Sequence, residues 1–268
     1  MPSLKRFIFL LLFFNVAACS GEKATPYVER SVNALYNSAL DALEDGEYSE
    51  AANSFEEVER QHPYSVWATK AQLMAAYANY EANKYDDAII GLDRFIELHP
   101  GNPDTPYAYY LKALSYYEQI TDISRDQLVT EKALKALRNV ARRYPQTKYA
   151  RSARLKIDLT RDHLAGKEMS VGRFYLHKKE YTAAINRFHR VINQYQTTTH
   201  VPEALHRLAE AYTALGVPEE AKKAAAILGH NYPGSKWYTD SYALMTGNNV
   251  NKRKKKKGFL NRIWNSVF

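Results

Sequence analysis

Apolar residues recur along most of the chain at spacings of three and four, and the same pattern occurs more than once. The stretch YSEAANSFEEVERQHP at residues 48–63 reappears as YDDAIIGLDRFIELHP at residues 85–100. Both copies open on an aromatic residue, continue with Ala and larger apolar residues, and close on His-Pro. Such spacings place the apolar residues on one face of an α-helix. The pattern therefore predicts amphipathic helices that end at proline and repeat at a constant offset.

A small residue precedes each of these helices at a constant distance, within a second apolar segment. The same number of residues separates the small residue from an alanine of the following helix in four units: Ala39 and Ala51, Ala76 and Ala88, Gly172 and Ala184, and Ala209 and Ala221. Small side chains let two helices approach closely, and a single hairpin cannot bury its apolar face alone. The spacing thus predicts stacked helical hairpins. It resembles the tetratricopeptide repeat, which implies an all-α fold, a right-handed α-solenoid of about five hairpins.

Two units depart from the regular spacing. The third has additional residues at 120–127, which predicts a longer loop inside its hairpin. The fourth begins with residues 148–179, which we interpret as one long first helix, bent at Gly166. We expect this helix to divide the solenoid into residues 30–145, with repeats 1 to 3, and residues 146–247, with repeats 4 and 5. The predicted helix N-caps are Thr105, Thr147, Thr199 and Ser235.

The N-terminus, residues 1–18, has the pattern of a secretory signal: a basic start and a short apolar run that is too short to span a bilayer. Cys19 follows in the sequence VAACSG and is the single cysteine, so it cannot form an internal disulfide. This arrangement resembles the bacterial lipobox, which implies an acylated Cys19 and a tether at residues 19–29. Ser20 implies, by the same resemblance, the outer membrane on its periplasmic side. An incidental cysteine in a plain signal peptide is the alternative.

The formal net charge of +8 is concentrated in the C-terminal tail, residues 248–268. This tail has a polar linker, a run of basic residues, and then apolar residues on one half of a predicted amphipathic helix. Its candidate contact residues are Lys254, Lys255, Phe259, Ile263 and Trp264. We interpret the tail as docking on a membrane or a partner protein, with a disordered, solvated tail as the alternative. An exported chain meets little nucleic acid, so no nucleic-acid partner is expected.

Motifs for catalysis or metal binding are missing from the sequence. It contains no HExxH, P-loop, GxGxxG or GxSxG pattern, and its 8 histidines are scattered. Because the single cysteine is assigned to the lipobox, no cysteine is left to bind zinc. For the same reason, no thiol is left to act as a catalytic nucleophile. We therefore predict a protein without catalytic residues, metal or cofactor.

A superhelix of hairpins has a concave surface that the first helix of each pair lines. Aligning the units places on this surface Tyr36, Leu73, Tyr77, Tyr80, Tyr107, Tyr110 and Tyr117. Tyrosine combines apolar area with a hydroxyl group, which suits extended peptides that carry aromatic side chains. We predict a peptide-binding groove there, and packing between helices is the alternative for each tyrosine.

Arg187 and Arg190 flank the core residue Phe188 on the second helix of the fourth unit. Arginine in such a position is suited to docking on an acidic partner surface. A solvated surface role is the alternative.

The lipobox, the repeats over residues 30–247, the lengthened fourth unit, and the segments YTAAINRFHRVINQY and LGHNYPGSKWY together resemble the BamD family. These are lipoproteins of the outer-membrane β-barrel assembly machinery. The resemblance implies a scaffold whose N-terminal groove receives unfolded barrel proteins. Its C-terminal half would hold the periplasmic domains of the central subunit BamA, with Arg187 on that side, next to other lipoproteins of the machinery. A coordinator of peptidoglycan synthesis and envelope constriction, and a cell-wall-active enzyme, remain open.

Overall fold

The structure is a computed structural model that describes residues 29–247, and within that range it contains eleven α-helices and no strand. The helices are α1 (Val32–Glu44), α2 (Tyr48–Gln61), α3 (Val66–Glu81), α4 (Tyr85–Leu98), α5 (Thr105–Glu118), α6 (Leu128–Arg143), α7 (Lys148–His177), α8 (Tyr181–Gln194), α9 (Val201–Ala214), α10 (Pro218–Asn231) and α11 (Lys236–Thr246). The predictions for Cys19 and for the tail positions lie outside the described residues. The all-helical fold predicted from the apolar pattern is confirmed.

Consecutive helices contact one another and form five hairpins, α1–α2, α3–α4, α5–α6, α7–α8 and α9–α10. The first helices of successive hairpins also touch, α1 with α3, α3 with α5, α5 with α7 and α7 with α9. Within residues 29–247, second helices of neighbouring hairpins make no comparable contact. A stack whose first helices are close and whose second helices are apart curves, with the first helices on its inner side. This is the predicted tetratricopeptide solenoid.

The core repeats along the stack because each second helix buries the same positions. An alanine near its N-terminal end is fully buried in every hairpin: Ala51, Ala88, Ala133, Ala184 and Ala221. One turn later, four of the five helices bury a large apolar side chain: Phe55, Leu92, Leu137 and Phe188. Residues one turn apart share a helix face, and here that face is turned toward the first helix of the same hairpin. The positions that repeat in the sequence are therefore those that pack inside each hairpin.

Glycine replaces the usual small alanine in the first helix of the fourth hairpin. A Cβ atom added at Gly172 would lie 2.5 Å from a ring carbon of Phe188. That distance is far below a van der Waals contact, so α7 and α8 reach their separation only because position 172 has no side chain.

Four of the five hairpins share the same tight turn. Gly46, Asn83, Lys179 and Gly216 have φ values of 79°, 59°, 63° and 74°, in the left-handed region. In each turn the next residue donates its N–H to the carbonyl five residues before it, as Val217 does to Tyr212 at 2.9 Å. This motif closes the end of a helix and reverses the chain direction. The third hairpin has the inserted loop instead.

Two of the four predicted N-caps are confirmed. Thr147 and Ser235 accept hydrogen bonds from N–H groups of the following turn at 3.1 and 3.2 Å. The prediction is wrong for the other two. Thr105 lies inside α5 and donates to the carbonyl of His99 at 2.8 Å, and the hydroxyl of Thr199 bonds to a carboxylate of α7 at 2.9 Å. A hydroxyl residue near a helix start can serve either the helix or a neighbouring element, and tertiary contacts decide which.

The first helix of the fourth hairpin, α7, is one helix of 30 residues that continues through Gly166. The inserted loop of the third hairpin packs on it. Lys167 donates to the carbonyl of Ser124 at 2.9 Å, and the side chain of Ile123 approaches within 3.9 Å of the Cβ position at Gly166. The division of the solenoid at residue 145 stays a prediction.

The last helix, α11, packs on both helices of the fifth hairpin. His206 of α9 and Ser241 of α11 are both buried. Nδ1 of His206 lies 2.8 Å from the hydroxyl oxygen of Ser241, and the ring centroids of His206 and Trp237 are 5.3 Å apart. This helix covers the face that a further hairpin would otherwise occupy.

Candidate functional site

Partly buried tyrosines cluster where α3, α5 and α7 meet on the inner side of the stack. We call this cluster the inner tyrosine surface, and its members are Tyr77, Tyr80, Tyr107, Tyr110, Tyr117 and Tyr149. The rings of Tyr107 and Tyr110 each lie 5.5 Å from the ring of Tyr149. The structure therefore brings five of the predicted groove residues together and adds Tyr149 from the next hairpin. All six also pack against the core, which is the alternative role considered for these tyrosines, and the peptide-binding role stays a prediction.

Two residues predicted to line this surface are buried instead. Tyr36 is 3% exposed and Leu73 is 6% exposed. The ring of Tyr36 packs on Phe55 at 5.4 Å and on Trp67 at 4.7 Å. Aligning repeats gives the face of a helix on which a residue lies, but not how closely the next helix covers that face. The groove prediction is therefore corrected at both positions, which belong to the core.

Burial raises the pKa of several hydroxyl groups of the inner tyrosine surface, which favours their neutral form. Burial raises the pKa of Tyr80 to about 12, and the negative charge of Glu118 adds to this effect. Burial likewise raises the pKa of Tyr107. The pKa of Tyr77 is raised by burial first and then by a hydrogen bond with Glu81. A neutral phenol both donates and accepts hydrogen bonds, so the surface can satisfy the backbone groups of a bound peptide.

Three residues of α7 join this surface although the sequence comparison of repeats missed them. The hydroxyl of Tyr110 lies 2.6 Å from that of Ser152, and the ammonium group of Lys156 lies 4.2 Å from the ring centroid of Tyr117. With Tyr149, Ser152 and Lys156 recur at helical spacing along one face of α7. That periodicity is the signal that could have found them. Lys156 places a positive charge beside the tyrosines.

Arg187 and Arg190 on α8 share one carboxylate of α7. Nη1 of Arg187 lies 3.2 Å from Oε2 of Glu168, and Nη1 of Arg190 lies 3.3 Å from Oε1. The side chain of Glu168 is 15% exposed, whereas those of the two arginines are 33% and 55% exposed. A single carboxylate therefore orients two guanidinium groups and leaves net positive charge at the surface. The sequence indicated the arginines but not their common partner.

Neither metal chemistry nor a membrane span is indicated by the part of the chain that the structure describes. Between residues 29 and 247, no group of three or more His, Cys, Asp or Glu side chains is placed to hold a metal ion. No helix in this range combines the length and the apolar content that crossing a bilayer requires. The surfaces found here present tyrosine and arginine, which are enriched where proteins contact other proteins.

The family model and the individual proteins that resemble this chain agree with one another. A model of the family described as outer membrane lipoprotein, YfiO, matches residues 28–228. A Caulobacter vibrioides protein named outer membrane protein assembly factor BamD is 52% identical over 244 residues, or 90% of this chain and 80% of that protein. Its namesake from Rickettsia prowazekii is 46% identical over 88% of this chain and 94% of its own length. Another, from Neisseria meningitidis serogroup A, is 34% identical over 79% and 83%. The similarity extends over most of the described helices.

Proposed function

This chain belongs to the BamD (YfiO) family of outer membrane lipoproteins, and we propose that it is a non-catalytic scaffold that holds unfolded outer-membrane β-barrel proteins during their assembly. Its relatives are named outer membrane protein assembly factors, and this chain takes part in the same process. Family membership favours this function over peptidoglycan coordination and cell-wall enzymology. The observation that carries the finer proposal is the inner tyrosine surface.

The inner tyrosine surface fits an extended strand from a barrel protein. Strands of outer-membrane barrels alternate apolar and polar side chains and carry aromatic residues near the membrane interfaces. The rings of Tyr107, Tyr110 and Tyr149 offer apolar faces to the alternate side chains, and the neutral hydroxyls offer partners to the peptide backbone. Lys156, next to Tyr117, can pair with a carboxylate of the bound segment.

Replacing Tyr77 and Tyr80 together with Ala should weaken binding of peptides from barrel C-terminal strands. Each aromatic contact is worth about 0.5–1.5 kcal/mol beyond its buried area, so loss of two should raise Kd about tenfold. Fluorescence anisotropy with a labelled peptide measures the affinity, and photo-crosslinking from the peptide locates it.

The matched control replaces Tyr64 and Tyr242, which are 101% and 56% exposed and lie away from this surface, with Ala. It should leave Kd unchanged. Because Tyr77 and Tyr80 also pack on the core, the variant Tyr77→Phe, Tyr80→Phe keeps the rings and tests the hydroxyls alone. Unchanged peptide affinity in the Ala variant, with its helical content intact, would remove the groove from the proposal.

We propose that Arg187 and Arg190 dock the periplasmic domains of BamA, while other lipoproteins of the machinery complete the assembly. The two guanidinium groups are oriented by Glu168 and partly exposed, which supports recognition of an acidic surface. Because Glu168 already offsets one positive charge, an incoming carboxylate meets a net charge of one and directed N–H donors.

Reversing the charge of Arg187 and Arg190 with Glu should weaken association with BamA about 100-fold, since interfacial charge contacts are worth about 2–5 kcal/mol. Co-purification and calorimetry with the BamA periplasmic domains measure this. Arg151→Glu, at an exposed site in the first turn of α7, is the control and should bind normally. Glu168→Gln keeps the charge of both guanidinium groups but removes the carboxylate that orients them, so it should weaken binding less than the charge reversal does. Full binding by the Arg187, Arg190 variant would contradict docking at this site.

The location follows from the family, and its details are part of the proposal. The chain associates with the outer membrane as its family does. We propose that acylated Cys19 anchors it on the periplasmic side, and that residues 248–268 dock on the membrane or on a partner protein. Nucleic acid is not a proposed partner.

A further inference from the structure

A second groove lies on the outer side of the stack, along the second helix of the third hairpin. It has a volume of about 950 Å³ and is bounded by α5, α6, α7 and the end of α8. Its apolar lining consists of Tyr109, Tyr116, Leu134, Leu164 and Tyr195. Neighbouring second helices do not touch in the described range, so the space between them is open and its floor is formed by the first helices.

The exposed face of α6 forms one wall of this groove and is positively charged. Its basic residues are Lys132, Lys135, Arg138, Arg142 and Arg143, and they all line the groove. Glu131 is the acidic residue among the groove's lining. We call this surface the outer basic groove. Its charge is distinct from that of the C-terminal tail, which supplies most of the net charge of the sequence.

Most cations of α6 in the outer basic groove have no ion-pair partner within residues 29–247, whereas Lys112 of α5, which also lines the groove, pairs with Asp93. Among the ion pairs found between residues 29 and 247, none includes Lys132, Lys135, Arg138 or Arg142. On α10, by contrast, Lys222 and Lys223 each pair with a glutamate three residues earlier, at 2.9 and 2.6 Å.

Like charges three and four residues apart on one helix face oppose helix formation. Lys132, Lys135, Arg138 and Arg142 follow this spacing, so the charges on the exposed face of α6 repel one another. On the exposed faces of α2 and α4, acidic residues outnumber basic ones. An anionic ligand would reduce the repulsion among the cations of α6, so this repulsion favours the binding of an anion.

Aromatic side chains give the outer basic groove a lining that an ordinary solvated face lacks. The guanidinium of Arg143 lies 5.2 Å from the ring centroid of Tyr109, which holds one cation against the wall. Burial raises the pKa of Tyr195, the carboxylates of Glu168 and Glu131 add to this effect, and the positive charges of Arg138 and Arg190 partly oppose it, so its hydroxyl lies near charged groups of α6, α7 and α8. The groove therefore combines charge with flat apolar surface.

We propose that the outer basic groove binds an extended, acidic segment of a partner polypeptide. A helix of 16 residues, the length of α6, spans about 24 Å at 1.5 Å per residue. An extended chain covers that distance with about seven residues. Alternate acidic and apolar side chains of such a segment would meet the cations of α6 and the tyrosines opposite. A lipid surface fits less well because it is broad and flat, while these cations line a concave space. The inference is independent of docking through Arg187 and Arg190.

Binding of a fluorescein-labelled peptide of about ten residues, alternating Glu with Leu and Tyr, to the full chain tests the proposal. Neutralising the groove with Lys135→Gln and Arg138→Gln should raise Kd about tenfold in fluorescence anisotropy. The matched control Lys222→Gln, Lys223→Gln removes the same charge from α10 and should change Kd less than about twofold. A second control, Lys254→Gln, Lys255→Gln, accounts for binding by the tail. The peptide with Gln in place of Glu should bind more weakly to the unmodified chain.

The groove variant should keep its thermal stability, because neutralisation relieves repulsion on α6. Equal losses of affinity in the groove, α10 and tail variants would overturn the proposal, since binding would then follow net charge alone. Unchanged affinity in the groove variant would also overturn it. So would groove-dependent binding to phosphatidylglycerol vesicles with no binding of the acidic peptide, which would assign the surface to lipid.

Discussion

Phe188→Ala is expected to lower the free energy of unfolding by about 3–5 kcal/mol, because it empties a closed site in the middle of the solenoid. Phe188 is 0% exposed and belongs to the cluster that joins the fourth and fifth hairpins. Its ring lies directly against the backbone of α7 at Gly172, and the residue opposite it therefore has no side chain that could fill the space. Urea unfolding followed by circular dichroism measures the loss.

Gly172→Ala provides a test of the same contact from the opposite side. Alone, it should destabilise by about 1–3 kcal/mol, since the added methyl group overlaps the ring of Phe188. In the Phe188→Ala background it should instead stabilise by up to about 1 kcal/mol, because alanine is the better helix former and the space is free. Purely additive effects would contradict this packing. Phe174→Ala, at a 58% exposed site of α7, is the control and should shift stability by less than about 0.5 kcal/mol.

Cys19→Ser is expected to move the protein from the membrane fraction to the soluble fraction. An acyl chain contributes about 0.8 kcal/mol per buried CH₂ group, and two or more chains give stable anchoring. Serine cannot carry the thioether-linked lipid, so the whole of this contribution is lost. Fractionation of cells and release of the protein by salt or detergent measure the change.

The tail could hold part of the Cys19→Ser variant on the membrane by charge. Washing at high salt screens that attraction but does not extract acyl chains, so it separates the two contributions. Ser20→Ala, next to the cysteine, should remain membrane-bound. If Cys19→Ser still sediments with membranes after the wash, the lipid anchor is not what holds the protein.

Much of the fold follows from residue spacing. The alanines and large apolar residues of the second helices recur at one-turn intervals, and the structure buries them against the first helices as predicted. The extra residues before Gly172 correctly indicated that α7 is long. Helix α3 is covered on several sides, with Ala71, Gln72 and Asn79 all buried. A helix buried on more than one face loses the amphipathic pattern that marks a surface helix.

The sequence predicted that tyrosines would form the candidate site, but not which residues belong to it. Repeat alignment selected tyrosines of the first helices, and five of them do meet on the inner surface. It could not show that Tyr36 is enclosed by Phe55 and Trp67, or that Tyr149 completes the cluster from the next hairpin. These facts depend on the distance and rotation between hairpins, which are set by side chains far apart in the chain.

The sequence by itself determined the modular architecture, since periodicity, small residues at helix crossings and, in four of the five hairpins, a proline after the second helix are local signals. Only the tertiary structure decided which tyrosines remain accessible, that one glutamate orients two arginines, and that the cations of α6 line a groove. The reason is physical: helix formation depends on residues within a few positions of each other, whereas exposure and electrostatic pairing depend on neighbours that stacking brings together.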